Sequence, residues 1–424
     1  MTDDQRWDTL WAMPALRRGL AQRGITFRNA YVPTSLCCPS RVSLLTGNYA
    51  HTTGVWHNQP PLGGFSRFRD RSTVATWLDG AGYQTGLFGK YLNGYRGRYI
   101  PPGWDRWVAF AHSADRQDLY HDYTLNIDGR LERFGRDPGA YSTNVLAAEA
   151  VRYILKTKGA LFVYFAPYAP HRPMTPARGD RKRFSDLPPY RPPSYDEPDV
   201  SDKPKWVRSR ERLAPSRKAR IDGWRRGAHA SLLSVDRSVN AILEALEVTG
   251  RLHNTLIIYT SDNGALLGEH RYSRKGNAYE ESIRVPFVVR YDRLPYRPRI
   301  DDSLVLNLDV APTIAHASGI RAPQTDGRSL LPLIQSPNTP WRRDFLVEHA
   351  HMPLFPPSSC GLHSERFSYV RYSTGEEELY DLAADPYQLS NLADSARHRR
   401  HLLDLRTRLT TMCQPPPSFP GGSD

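Results

Sequence analysis

Four oxygen-bearing side chains stand at two places in the chain where they could hold a metal ion together. Asp3 and Asp4 form an acidic pair near the start, and Asp262 and Asn263 directly follow the apolar run T-L-I-I-Y-T-S. Working residues of open α/β sheets gather at the carboxyl ends of strands. Carboxylate and amide oxygens suit a hard cation such as Ca²⁺ or Mg²⁺. Taken alone, each pair also fits another reading, because Asp-Asn-Gly after a strand is more often a plain turn.

A more specific pattern fills residues 33–47, P-T-S-L-C-C-P-S-R-V-S-L-L-T-G. A Cys, any residue and then Pro-Ser-Arg, followed by Thr-Gly, resembles the signature of the type I sulfatases. In that family the first Cys of the motif is oxidised to formylglycine, an aldehyde that works as its hydrate. The resemblance implies that Cys37 is the modified residue and Cys38 the variable one. A buried Cys pair is the alternative, but further matches through most of the chain favour the family.

The further matches imply one role for each residue that they carry. M-T-D-D-Q and T-S-D-N-G imply that the metal ligands are Asp3, Asp4, Asp262 and Asn263, together with position 37. G-K-Y-L-N-G-Y, A-P-H-R-P and K-G-N-A-Y-E-E-S-I-R-V-P imply that the substrate-binding residues are Lys90, His171 and Lys275. The resemblance covers roughly residues 1–330. It is closest to the N-acetylglucosamine-6-sulfatases and the extracellular heparan sulfate 6-O-endosulfatases.

The chemistry of a sulfate ester explains why such residues belong together. The ester is an anion that repels nucleophiles, so a divalent cation and two ammonium groups must first neutralise its charge. We hypothesise that one hydroxyl of hydrated formylglycine attacks sulfur while a general acid, for which His171 and Lys275 are candidates, protonates the leaving alcohol. The second hydroxyl then expels sulfate, a step that a plain Ser or Cys could not perform. The guanidinium of Arg41 positions the formylglycine and one carboxylate.

The resemblance therefore implies a sulfuric ester hydrolase that depends on Ca²⁺, with Mg²⁺ as the other option. Its substrate is a sulfated carbohydrate or an aryl sulfate, with 6-O-sulfated glucosamine expected, and a formylglycine-generating enzyme is the expected maturation partner. Two alternatives stay open. The first is a phosphonate or phosphate ester hydrolase on the same scaffold, and the second is a catalytically silent binder of sulfated glycans.

Strand and helix patterns alternate along the chain. Apolar runs predict strands at residues 160–166, 255–262, 285–290 and 304–309. Helical patterns cover residues 73–80, with Ser72 as a possible N-cap, 141–156 and 228–250. This alternation predicts an α/β sandwich with a large, mostly parallel central sheet, and the resemblance makes it alkaline-phosphatase-like.

The chain is expected to divide into three parts. Residues 1–334 form the catalytic α/β domain, with the first strand missing before residue 1. Residues 335–412 form a smaller subdomain with an antiparallel hairpin, which turns at Thr374-Gly375, and a final helix near residues 398–412. Residues 413–424 read as a disordered tail.

The charge of the chain favours an anionic partner. The 424 residues include 57 Lys+Arg against 44 Asp+Glu, a formal charge of +13. Residues 172–226 hold 16 Lys/Arg against 8 Asp/Glu and are rich in Pro, which predicts an extended surface excursion. It is either a solvated loop or a rim that attracts a polyanionic substrate. No zinc-finger, helix-turn-helix or RNP pattern accompanies it, so nucleic acid is not the expected partner.

Three features depart from the family pattern or leave a question open. Leu92 stands where many sulfatases carry a His, which leaves the base of the second step undecided. The family places an apolar strand, and usually an export signal, before the Asp pair. Here Asp3 follows Met1 by two residues, so either the start lies upstream or a frayed end holds the ligands poorly. Cys360 and Cys413 are either free thiols or a disulfide, and His270 either lines the pocket or lies on the surface.

The sequence also leaves the compartment unknown. The first residues, M-T-D-D-Q-R-W-D, do not read as a signal peptide, although members of the family are usually exported or lysosomal. No stretch approaches the roughly 18 to 20 apolar residues that a membrane span needs, so no span is expected.

Overall fold

The structure is a computed structural model that describes residues 1–111 and 118–417. The predicted tail at 413–424 is therefore described only as far as 417, and its remainder lies outside the described residues. The strands are β1 (Ile25–Phe27), β2 (Ala30–Tyr31), β3 (Gln84–Gly89), β4 (Arg106–Phe110), β5 (Tyr123–Ile127), β6 (Arg130–Phe134), β7 (Leu161–Ala166), β8 (Ile257–Thr260), β9 (Phe287–Arg290), β10 (Arg299–Asp301), β11 (Val305–Leu306), β12 (Asp344–His349), β13 (Ser359–Ser364), β14 (Phe367–Tyr372) and β15 (Glu377–Asp381).

Helices flank these strands, and one of them begins at Cys37. They are α1 (Pro14–Leu16), α2 (Cys37–Thr46), α3 (Ala50–Thr53), α4 (Val74–Asp79), α5 (Ser142–Lys156), α6 (Lys205–Arg208), α7 (Pro215–Val248), α8 (Glu280–Ile283), α9 (Val310–Ala317), α10 (Leu331–Gln335) and α11 (Arg399–Met412). Every residue of α2 is buried, which places this helix at the centre of the fold. No helix among the described residues is both long enough and apolar enough to span a bilayer.

The predicted α/β class is confirmed, and the strand directions within it are mixed. One sheet has the order β10-β1-β9-β8 and a second has the order β6-β5-β4-β3-β7. In the second sheet β3 pairs in parallel with both β4 and β7, whereas β5 and β6 are antiparallel additions. In the first sheet β9 runs antiparallel to β1 and β8. Buried parallel and antiparallel strands have similar apolar sequences, so the pattern alone could not separate them.

The first residues of the chain are held firmly between the two sheets. The amino group of Met1 donates to the carbonyl of Phe165 (2.7 Å), and the Thr2 N–H donates to the carbonyl of Thr260 (2.9 Å). Asp3 is fully buried as a result. The alternative of a frayed end that holds the ligands poorly does not match this geometry. Beyond Met1, an apolar cavity of about 560 Å³ separates the facing edges of β7 and β8.

Several predicted elements differ in extent or detail from the observed ones. The helix expected from 228 begins at Pro215, so the end of the basic segment is helical and not an extended excursion. The strand expected at 304–309 is only β11, because Asp309 folds back to accept the Leu306 N–H (2.8 Å). Thr73 caps α4 in place of Ser72, whose hydroxyl accepts the indole N–H of Trp77 (3.0 Å).

The C-terminal part contains the expected small antiparallel sheet. Strands β12 to β15 pair in sequence order, β14 and β15 form the predicted hairpin, and α11 packs on β13. A disulfide between Cys360 and Cys413 joins β13 to the end of α11, with the two Cα atoms 6.2 Å apart. The open question about these cysteines is thus answered in favour of the bridge. The domain boundary after residue 334 stays a prediction.

A single glycine allows β3 to deliver Lys90 to the strand ends. Gly89 has φ +130°, and a Cβ there would lie 1.9 Å from the carbonyl oxygen of Ala166 on β7. The next residue, Lys90, donates its N–H to that same carbonyl (2.7 Å). Gly89→Ala must therefore separate β3 from β7 at the point where the lysine leaves the sheet.

We expect Gly89→Ala to lower the free energy of unfolding by about 2 to 3 kcal/mol, because backbone strain adds to a clash with backbone. The matched control is Gly129→Ala in the turn between β5 and β6. Gly129 also has positive φ (+87°), but nothing lies within 4 Å of an added Cβ. The control should cost about 1 kcal/mol. Urea unfolding followed by circular dichroism measures both free energies. Equal losses in the two variants would contradict the inference that the close approach of β3 and β7 requires glycine at position 89.

Candidate active site

The ends of three strands and the start of one helix meet at the predicted site. Lys90 follows β3, His171 lies in the loop after β7, and Asp262 with Asn263 follows β8. Cys37 is the first residue of α2, where free backbone N–H groups and the helix dipole favour an anion. The structure thus brings every predicted catalytic, metal-binding and substrate-binding residue to one place.

Arg41 contacts two of the acidic residues at once. Its Nε donates to Asp262 Oδ2 (2.8 Å), and a terminal nitrogen lies 3.4 Å from Asp3 Oδ2. The other terminal nitrogen donates to the carbonyl oxygen of Lys90 (2.8 Å). Asp262 Oδ1 in turn accepts the backbone N–H of Asp4 (3.0 Å). Since Arg41 is fully buried, its planar fork fixes the spacing of these groups.

Two ammonium groups flank the position that carries the motif cysteine. Lys275 Nζ contacts Cys37 Sγ (2.7 Å) and Asn263 Oδ1 (3.2 Å), and it also pairs with Asp4. On the other side, Lys90 Nζ pairs with Asp3 Oδ2 at 2.5 Å. Cys37 Sγ itself lies 3.4 Å from Asp3 Oδ1. The sulfur therefore sits between two cations and one carboxylate, where a bound sulfate ester would meet positive charge on two sides.

His171 adds a ring nitrogen to the same space. Its Nδ1 lies 2.7 Å from the carbonyl oxygen of Arg172, which can only accept, so Nδ1 carries the hydrogen. In the neutral ring Nε2 then has the free lone pair, and it lies 3.6 Å from Asp4 Oδ2. Burial lowers the pKa of His171 despite the opposing charges of Asp4 and Asp3. The hydrogen bond thus fixes one hydrogen on Nδ1 and leaves Nε2 as the nitrogen that faces the carboxylates.

The charges of the site compensate one another. Burial opposes ionisation of Asp3, but the charges of Lys90, His171 and Arg41 hold the pKa of its carboxyl well below the usual range. Burial likewise opposes the charge of Lys275, and Asp4 with Cys37 and Asp262 raises the pKa of its ammonium. Burial and the Asp3 charge raise the pKa of the Cys37 thiol. Three carboxylates thus face three cations, counting Arg41, within a buried volume.

The donor set fits a hard cation. Ligand atoms of Asp3, Asp4, Cys37 and His171 all lie within 4.8 Å of one another. Asp262 and Asn263 join them, since Asn263 Nδ2 donates to Asp4 Oδ1 (2.6 Å) and leaves its own carbonyl oxygen beside Lys275. Most of these atoms are oxygens, as Ca²⁺ and Mg²⁺ prefer. Because the protein charges already cancel, a divalent ion would make the site positive and favour an anionic substrate.

Sequence reasoning missed two contributors to the site. The ring of Tyr168 lies 4.6 Å from that of His171 and faces Lys90 Nζ at 5.8 Å. Asn58 accepts the backbone N–H of Cys38 through its Oδ1 (2.8 Å) and so supports the start of α2. The position of Tyr168, three residues before His171, was the only sequence signal for it. Asn58 gave none.

His270 neither lines the pocket nor lies on the surface. It is fully buried, pairs with Glu197 (Nδ1 to Oε2, 2.7 Å) and stacks on Tyr279 with ring centroids 3.9 Å apart. Its role is therefore in packing and not in the site.

Comparison with known proteins places this geometry in a family. Residues 1–320 match the sulfatase family, and residues 268–414 match the C-terminal region of N-sulphoglucosamine sulphohydrolase. The chain is 32% identical to N-acetylglucosamine-6-sulfatase of Homo sapiens, covering 93% of this chain and 80% of that one. It is 34% identical to an extracellular sulfatase homologue of Drosophila melanogaster, covering 82% of this chain and 32% of that one. The chain thus spans about a third of the length of the Drosophila protein, and about half of the length of a putative extracellular sulfatase homologue of Caenorhabditis elegans.

Solved structures share the fold. A protein solved in complex with its substrate D-glucosamine-2-N,6-O-disulfate superposes with a TM-score of 0.85 at 23% identity, covering 97% of this chain and 96% of that one. The phosphonate monoester hydrolase of Agrobacterium radiobacter superposes with a TM-score of 0.77 at 21% identity, covering 97% and 94%. At such identities these two likenesses concern the fold alone. The sequence matches over most of its length show that the chain belongs to the sulfatase family.

Proposed function

We propose that the protein is a sulfuric ester hydrolase that removes sulfate from a sulfated sugar, with 6-O-sulfated glucosamine as the substrate. The observation that carries the proposal is the setting of Cys37, which lies between Lys90 and Lys275 at the start of α2 and beside three carboxylates. The named activity of the human relative supports the sugar and the position of the ester.

The residues of the chain divide the chemistry among them. Lys90 and Lys275 bind the nonbridging sulfate oxygens, and Arg41 holds Asp262 and Asp3 at fixed spacing. Asp3, Asp4, Asp262 and Asn263 would hold Ca²⁺, which would supply charge neutralisation at the sulfate. A formylglycine-generating enzyme converts Cys37 into the residue that supplies the second hydroxyl. Lys275, whose ammonium contacts the sulfur, is placed to protonate the leaving alcohol, whereas His171 would first have to take up a proton at Nε2 to do so.

The second candidate is a phosphonate or phosphate ester hydrolase. The structural likeness to a phosphonate monoester hydrolase supports it, because one scaffold serves both kinds of ester. A phosphate monoester carries close to two negative charges at neutral pH, whereas a sulfate ester and a phosphonate monoester each carry one. Rates on matched sulfate, phosphate and phosphonate esters therefore decide between the candidates. A silent glycan binder would hydrolyse neither.

We expect the mature protein to release sulfate from N-acetylglucosamine 6-sulfate at least about 100-fold faster than phosphate from N-acetylglucosamine 6-phosphate, measured as kcat/KM. Lys275→Ala should lower kcat/KM for the sulfate ester by about 100-fold or more, since it removes a charge aimed at the reacting group. Lys156→Ala at the exposed end of α5 is the control and should change nothing. Faster phosphate release would favour the second candidate, and no release of either would favour the silent binder.

Metal binding can be tested without any turnover. We expect Ca²⁺ to raise the thermal unfolding midpoint of the full chain, because it binds the folded site and not the unfolded chain. Asp4→Asn removes one charged ligand and should weaken Ca²⁺ binding in calorimetry by about tenfold or more. Asp302→Asn is the control, since its carboxylate is exposed and pairs with Arg28 on the surface. Equal Ca²⁺ affinity in both variants would contradict the ligand assignment.

A further inference from the structure

Five arginines converge beside the active site. Arg172 directly follows His171, and Arg274 directly precedes Lys275, so both are chain neighbours of site residues. The chain before α7 and the first turns of that helix bring three more to the same surface. The arginine cluster consists of Arg172, Arg210, Arg217, Arg220 and Arg274.

Aromatic rings and neutral oxygens hold these side chains in place. Three guanidinium carbons lie over the indole of Trp224, at 4.6 Å for Arg172, 5.2 Å for Arg217 and 5.6 Å for Arg220. Arg172 donates to the carbonyl oxygen of Ser273 (2.8 Å), and Arg217 donates to the hydroxyl of the same serine. The guanidinium carbon of Arg210 lies 4.2 Å from the centroid of the Tyr272 ring. Stacking of this kind orients a guanidinium without neutralising its charge.

Carboxylates do not neutralise the cluster. Among the residues that the structure describes, no carboxylate lies within ion-pair distance of any of the five guanidinium groups. The nearby Asp196 pairs instead with Arg212 (3.1 Å) and Lys218 (2.7 Å). Burial and the charges of Arg220, Arg172 and Arg274 lower the pKa of Arg217, so the cluster repels itself. An anion bound there would relieve that repulsion.

We propose that the arginine cluster is a second anion subsite, which binds a sulfate or carboxylate group on another part of the same sugar chain whose ester is hydrolysed. The inference rests on the proposed function, because it assigns the second group to the same substrate. This subsite is distinct from the sulfate position between Lys90 and Lys275, since its guanidinium groups stack on Trp224 and Tyr272. The subsite makes a polyanionic oligosaccharide a better substrate than a single sulfated sugar.

The test compares two substrates and one pair of substitutions. The substrates are glucosamine 6-sulfate and a tetrasaccharide of alternating uronate and 2-N,6-O-disulfated glucosamine. In Arg217→Gln/Arg220→Gln we expect KM for the tetrasaccharide to rise about tenfold, with kcat unchanged, because charged hydrogen bonds of about this worth are lost. KM for the monosaccharide should change less than about twofold, since it does not reach the cluster. The control, Arg130→Gln/Arg133→Gln, removes the same charge from exposed β6 and should alter neither KM.

A binding measurement keeps this inference separate from the proposed function. Calorimetric titration of the tetrasaccharide into full-length Cys37→Ala should give a Kd about tenfold weaker when Arg217→Gln/Arg220→Gln is added, with a smaller dependence on salt. If no ester is hydrolysed but this loss of affinity is found, the proposed function fails and the subsite stands. Unchanged tetrasaccharide affinity and KM in the double variant would overturn the subsite, as would an equal rise of KM for both substrates.

Discussion

The compensation of three buried carboxylates by three buried cations is the constraint on which the rest of the structure depends. An uncompensated charge at this depth would cost several kcal/mol, so Asp3, Asp4 and Asp262 need Arg41, Lys90 and Lys275 in place. The six residues come from five separate parts of the chain. Strand lengths, the loop after β8 and the depth of α2 must all agree for their side chains to meet. Because the protein's own charges already cancel, a bound divalent ion would give the site a net positive charge that attracts an anion.

The backbone around this network is correspondingly restricted. Gly89 lets Lys90 leave β3 against Ala166, and Gly264 lies where an added Cβ would be 2.3 Å from the carbonyl of Glu281. The second glycine follows the ligand Asn263 and allows the loop after β8 to approach α8. The hydrogen bonds of Met1 and Thr2 to the ends of β7 and β8 perform the same task for the first two carboxylates. Positioning therefore comes from close backbone approach as well as from ion pairs.

The site residues could be predicted because the chemistry requires particular residue types in short, recognisable motifs. The motif residues from Asp3 to Lys275 all meet in the structure, although only their resemblance to a family pointed to a common site. Elements whose extent depends on tertiary contacts were harder to predict from the sequence. The first turns of α7 are polar and contain Gly223, and Ile221 is their one buried apolar side chain, so no apolar period marks them. Their position on the protein is nevertheless what brings Arg217 and Arg220 beside the site.

The central claim is that position 37 acts as formylglycine in this charge-balanced pocket. The most direct measurement is the mass and fragment spectrum of the tryptic peptide of residues 29–41, from protein made in its own host. The account predicts an aldehyde at position 37, with Cys38 still a thiol. An unmodified Cys37 thiol, in a host that matures other sulfatases, would contradict it, because a buried thiol has no second hydroxyl with which to expel sulfate.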